Sequence, residues 1–244
     1  MRLMLISCEV LFREMCDAAA RSPHQVDVEF LPKGLHDLGG KGMAVEMQRR
    51  IDAVPAGKYD AILLGYGLCG NGLHGISARH TMLVLPRAHD CIALLMGSRE
   101  KHQQYFDEHP GTYYRSTGWL ERGKGLQQLT HVTTGIDVTL DQMIEKYGED
   151  NGRYLHEELT RYRSAYTRLT YIATGLEADS RFEEEARWEA AERGWEFERL
   201  AGNLVLVHRL VSGDWGGGDF VIAQPGERFR ASYDDSIVRI EERA

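Results

Sequence analysis

The sequence predicts an α/β fold, with a parallel, Rossmann-like sheet flanked by helices. Three observations carry this. Short apolar runs such as "LMLISC", "VDVEFLP", "AILLG" and "MLVLP" recur at strand length. Stretches with apolar residues every three to four positions follow several of them, as amphipathic helices require. The chain of 244 residues is long enough to bury a sizeable core, as one large domain or as two lobes sharing a cleft.

Taken in order, "LMLISC" reads as a first strand. "EVLFREMCDAAA" then reads as a helix with Leu11, Met15 and Ala18 on one face. "VDVEFLP" is a second strand and "GMAVEMQRRIDAV" a second helix. "YDAILLGYG" and "TMLVLPRA" are strands three and four. One helix is expected over Asp90–His109, stopped by Pro110, and "GTYYRSTGW" reads as a short extended segment. Thr139 and Gln142 form a capping-box pattern before "LDQMIEKYG", and "RYLHEELTRYRSAY" continues as helix. "LTYIATG" is a strand. Ser180 and Glu183 make a second capping-box pattern, with Gly194 as the C-cap of that helix. "WEFERLAG", "NLVLVHRLVSG" and "DFVIAQPG" complete a strand–helix–strand pattern, with "GDWGGGD" as a loop. A lobe boundary is expected within 120–137, dividing the chain into 1–125, which carries the cysteines, and 126–244.

Composition narrows the function classes. Apolar residues make up 43% and charged residues 27%, with a formal net charge of −8, which is ordinary for a globular protein. No basic stripe interleaved with aromatic residues is present, so no nucleic-acid partner is expected. The apolar runs are too short to cross a bilayer, so no membrane partner is expected. "LISC" at 5–8 looks like a lipoprotein cleavage box, but only seven residues precede Cys8, and the run is read as a strand. A cytoplasmic location follows as an expectation, with the four cysteines as reduced thiols.

The stretch "AILLGYGLCGNG" places Cys69 on a glycine-rich bend after strand three. Cys8 ends strand one and Cys91 follows strand four. Ligands in open parallel sheets bind beyond the carboxyl ends of strands. In the common order 2-1-3-4, these three strands are neighbours, ~4.8 Å apart, so their loops can bring the sulfurs together. Three thiols at one mouth suggest zinc or an iron–sulfur cluster, with one coordination position open to a small-molecule substrate. His89 is a candidate nitrogen ligand. His36 is the other candidate histidine, and Asp90 can orient an imidazole. Arg87 and Asn71 are candidates for substrate contact. Cys16 reads as a small core residue.

Two other readings use the same residues. Gly65, Gly67 and Gly70 match G-x-G-x-x-G after a strand, with Asp90 twenty residues further on, the arithmetic of a dinucleotide site. Alternatively, Cys69 or Cys91 acts as a nucleophile with His89 or His36 as base and the "GNG" amides as an oxyanion hole, giving an acyl or alkyl transferase.

"LGYGLCGNGL", "LVLPRAHDCI", "LLMGSRE", "HPGTYY" and "GDWGGGDFVIAQPG" together resemble a bacterial and archaeal family catalogued as a domain of unknown function. The resemblance covers most of the chain. Members of that family are often met beside corrinoid-dependent methyl-transfer proteins. The resemblance therefore implies a role in methyl transfer or one-carbon metabolism, with a corrinoid protein as partner or the chain as a non-catalytic metal carrier, and it tips the choice of metal slightly to zinc, which suits thiol-directed methyl transfer. It also implies Cys8, Cys69, His89 and Cys91 as the family's cysteine and histidine positions.

Overall fold

Strand β1 (Arg2–Cys8) buries Leu3 and then every residue from Leu5 to Cys8, as a strand covered on both faces must. In the computed structural model, which describes residues 1–122, 139–163 and 165–242, β1 lies between β2 (Gln25–Leu31) and β3 (Ala61–Gly65). Strand β4 (Met82–Pro86) follows β3, and β8 (Phe220–Ala223) closes the far edge, giving the order β2-β1-β3-β4-β8. The first four strands are parallel and β8 runs antiparallel to β4. The expected 2-1-3-4 order is therefore present. The chain leaves β1 toward β2 and then crosses back to β3, so the topological switch point lies between β1 and β3.

Helices α1 (Phe12–Arg21) and α2 (Gly39–Asp52) connect these strands. Right-handed crossovers in opposite directions put them on opposite faces of the sheet. Helix α1 buries Met15 and Ala18, and the turn before it buries Leu11, the three residues read as its apolar face. The segment expected as one helix over 90–109 is two: α3 (Cys91–Met96) and α4 (Arg99–Glu108). Gly97 takes a left-handed φ of 72° and Ser98 caps α4 through the Lys101 N–H, so a C-cap and an N-cap meet in the middle of the expected helix.

A second parallel sheet has the order β5-β6-β7, from β5 (Thr112–Ser116), β6 (Arg168–Ala173) and β7 (Glu196–Ala201). Helix α5 (Thr117–Arg122) continues β5. Helices α6 (Leu140–Tyr147) and α7 (Glu149–Arg163) precede β6, and α8 (Arg181–Glu192) crosses from β6 to β7. Thr139 and Gln142 make the predicted capping box. Ser180 does not: its hydroxyl donates to the Glu184 carboxylate at 2.6 Å, and no side-chain cap bond forms.

Helix α9 (Val205–Ser212) returns the chain to the first sheet, where it packs on α1 and leads to β8. A hairpin of β9 (Glu227–Ala231) and β10 (Val238–Glu242), absent from the sequence reading, then folds over the loop after β3. Gly75 and Ile76 of that loop exchange backbone hydrogen bonds with Phe229. The boundary expected at 125/126 lies outside the described residues. The strands do not fall into two successive halves, because β5 belongs to the second sheet and β8 to the first. Among the described residues, no helix is long and apolar enough to cross a membrane.

Candidate thiol site at the switch point

Cys8 is the last residue of β1 and is 1% exposed. The loop after β3 is zipped onto the segment after β4: the Leu68 and Cys69 N–H groups donate to the Ala88 and His89 carbonyls, both at 2.8 Å. This approach needs glycine at 67, where a Cβ would stand 2.6 Å from the Asp90 nitrogen. The chain then makes a left-handed turn. Cys69, Gly70 and Asn71 have φ of 50°, 61° and 67°, and the Gly72 N–H closes on the Cys69 carbonyl at 3.1 Å. Left-handed backbone costs an ordinary L-residue roughly 1–2 kcal/mol, so Cys69 is held in a strained conformation at the tip. Cys91, 8% exposed, opens α3 beyond β4.

The three sulfurs are within electrostatic reach of one another. Burial is the main cause that pushes the Cys8 thiol up to about 12. Burial also raises Cys69, with the charges of Cys8 and Asp90 adding to it. Cys91 is raised by burial, then by Asp90, Cys69 and Cys8. At neutral pH all three are neutral thiols. Cys69 is partly exposed as a residue, but its sulfur is enclosed.

The turn of 3-10 helix after β2, Lys33–Leu38, brings His36 to the same place. Its Nε2 lies 3.7 Å from the Cys8 sulfur, and its ring centroid lies 6.2 Å from that of Tyr66. Burial lowers the His36 pKa, which keeps a neutral imidazole available at neutral pH. From the second sheet, Trp119 on α5 reaches Cys91. Its indole N–H favours the Cys91 thiolate without reaching hydrogen-bonding geometry. The Lys33 ammonium stands 4.4 Å from the centroid of the Trp119 ring.

Several expected site residues lie elsewhere. His89 is exposed and lines a cleft beside α4 with Arg99, Glu100 and Gln103. Its backbone carbonyl accepts the Cys69 backbone N–H, while it is the His36 imidazole that lies against a thiol, that of Cys8. Asp90 serves α3 instead of an imidazole ligand. Its Oδ1 caps α3, accepting from the Ile92 and Ala93 N–H groups at 2.9 and 3.3 Å. Arg87 donates to the carbonyls of Ser236 and Val238 at 2.8 and 2.5 Å, tying down the C-terminal hairpin. Asn71 is exposed and faces that hairpin. No helix follows Gly65, Gly67 and Gly70, as a dinucleotide site requires. Turns fill the chain up to β4, and the space beside Gly65 is taken by Ser7. Cys16 faces Arg122 and Glu14 and is half-buried, outside the core.

Three thiols and a neutral imidazole form a soft donor set, suited to zinc or an iron–sulfur centre. Among the described residues, no group of three His, Cys, Asp or Glu side chains stands at the separations that hold an ion. Rotation of the thiols is thus part of any metal binding here. Tyr66 and Trp119 were missed in the sequence. Tyr66 had a signal, its place between two glycines at a strand end, whereas Trp119 arrives from another sheet and had none.

A family model described as "Protein of unknown function (DUF1638)" matches residues 30–211. The chain belongs to the DUF1638 family. The DUF1638 match runs from the end of β2 to α9 and contains His36, Cys69, His89 and Cys91; Cys8 precedes it. Among curated proteins and solved structures, nothing matches the chain.

Proposed function

We propose that this DUF1638 protein binds zinc or an iron–sulfur centre through Cys8, Cys69 and Cys91. In this reading it acts in methyl transfer or one-carbon metabolism, with a small-molecule substrate or a corrinoid protein as partner. The observation that carries the metal is that three enclosed thiols lie within electrostatic reach of one another beside the β1/β3 switch point, with Cys69 on strained backbone. His36, 3.7 Å from Cys8, supplies the nitrogen ligand in place of His89. Corrinoid chemistry rests on the motif resemblance alone. Bound at this site, zinc supplies a Lewis acid that activates a thiol or polarises a substrate, and a cluster supplies an open iron. Zinc is preferred because it suits thiol-directed methyl transfer. The chain's part is to present these ligands from the strand ends and to give up one proton for each thiol that ligates.

The nucleophile reading is less well supported, because burial holds the thiols in the protonated, unreactive form. Metal analysis with an absorption spectrum, on protein purified without oxygen, tests the proposal. Stoichiometric zinc in a colourless protein, or iron and sulfide in a brown one, is expected. Cys69→Ser and His36→Ala should each lower metal content severalfold, and His89→Ala should leave it unchanged. Full occupancy in Cys69→Ser removes that residue from the ligand set. A carrier, unlike an enzyme, releases its metal to a competing chelator and shows no rate with any methyl donor.

A further inference from the structure

The C-terminal hairpin carries a charge arrangement that costs it stability. Arg230 on β9 and Arg239 on β10 stand directly opposite each other in the antiparallel register. Opposed residues share a face with their Cβ atoms about 5 Å apart, so like charges placed this way repel. The next opposed pair on that face is Arg228 and Glu241. The other face carries Phe229 and Val238, both buried. Two carboxylates answer the three arginines. Glu241 accepts from Arg228 at 2.9 Å but from Arg230 only at 3.4 Å. Asp234, in the turn of the hairpin, accepts from Arg239. Arg230 is the most loosely held of the three, with 62% of its side chain exposed. A chain of net charge −8 thus keeps an excess of positive charge here.

Arg230, Arg239 and Glu241 line a cleft of about 660 Å³ with Tyr233 of the hairpin turn and with Asn71 and His74 of the loop after β3. That size suits a small-molecule ligand. His74 Nδ1 accepts the Ala231 backbone N–H at 3.1 Å, so Nε2 carries the proton of the neutral ring and is a donor. Asn71 brings a side-chain amide. Tyr233 is 97% exposed, a large aromatic surface left to solvent at the cleft.

We propose that this cleft binds a small phosphate monoester, its phosphate held between Arg230 and Arg239, with Asn71 and His74 donating to it and Tyr233 covering the organic part. A phosphate monoester carries about −1.5 to −2 charges at neutral pH, enough to offset both guanidinium groups. Its oxygens also fit the planar fork of each arginine. A carboxylate brings a single charge, which Glu241 already supplies. Glu241 competes with the phosphate for Arg230, while Asp235 lines the separate cleft beside His89. The site is distinct from the thiols and stands with or without a metal there.

Calorimetric titration of the full-length protein tests this, with inorganic phosphate and phenyl phosphate as probes and acetate as the singly charged counterpart. Phosphate should bind saturably, phenyl phosphate severalfold more tightly, and acetate far more weakly. Arg230→Gln should weaken phosphate about ten-fold, as loss of a hydrogen bond between charged groups does. Glu241→Gln removes the competing acid and should tighten phosphate severalfold, a gain that a damaged hairpin would not give. Tyr233→Ala should keep the affinity for phosphate and lose the preference for phenyl phosphate. The proposal is overturned if phosphate shows no saturable binding, if acetate matches it, or if Arg230→Gln binds phosphate unchanged. It is also overturned if Glu241→Gln gains no affinity, or if the preference for phenyl phosphate survives Tyr233→Ala.

Discussion

Cys69 and Asn71 take left-handed backbone on either side of Gly70, which takes it as well. Asn71 is exposed, so its backbone can be probed with little disturbance of packing. Asn71→Ala should destabilise the fold by about 1 kcal/mol, and Asn71→Gly should be neutral or stabilising. Denaturant midpoints check this, and equal midpoints for the two variants would contradict it. Glu14 offers a second test. It is buried, its Oε1 accepts from the Thr174 hydroxyl at 3.0 Å, and burial raises its pKa above the ordinary carboxyl range. A group raised in this way stabilises fully below its unfolded pKa, ~4.3 for Glu, and loses that contribution as pH rises through the folded value. Stability should therefore carry a falling limb above about pH 4.3, and Glu14→Gln should flatten it. Unfolding measured across that range decides the matter, and an unchanged slope in the variant excludes Glu14 as its source.

At the scale of elements, the approach of Trp119 to Cys91 depends on how α5 meets the turn before α1. A Cβ on Gly118 would stand 1.8 Å from the Val10 carbonyl oxygen, so backbone packs directly on backbone there. Arg13 on α1 and Glu121 on α5 pair across the same junction at 2.9 Å. Gly118→Ala should push α5 away, costing about 1–3 kcal/mol as an overpacked site does. It should also move Trp119 relative to Cys91, which a change in the Trp119 fluorescence maximum would report. An unaltered stability and spectrum would show that the junction yields freely. The helices also mark where local signals were reliable. Thr139 capped as its sequence predicts, while Ser180, with the same spacing, spent its hydroxyl on Glu184. The spacing is the same in both, but Thr139 has the extended backbone of a cap whereas Ser180 is already helical, with ψ of −5°, and has an acid one turn along.

The whole molecule is closed by its C-terminal hairpin. Arg87, read as a substrate contact, donates instead to two carbonyls of that hairpin. Arg87→Ala should cost about 2 kcal/mol, the range for hydrogen bonds from a charged group. It should speed proteolysis within 227–242 while leaving metal content alone. Equal cleavage rates would deny Arg87 this role.

The sequence alone determined the strands of a parallel sheet and the placing of Cys8, Cys69 and Cys91 at or just past strand ends, because apolar periodicity acts locally along the chain. The 2-1-3-4 order was taken as the common one for such sheets, and it is the order the fold has. Tertiary structure decided which other side chains meet those thiols. His89 stands two residues from Cys91 yet lines another cleft, because Asp90 turns the chain into α3 between them. His36, from the loop after β2, and Trp119, from the second sheet, arrive instead. Spacing along the chain carries no record of such contacts, because they are set by how separate elements pack.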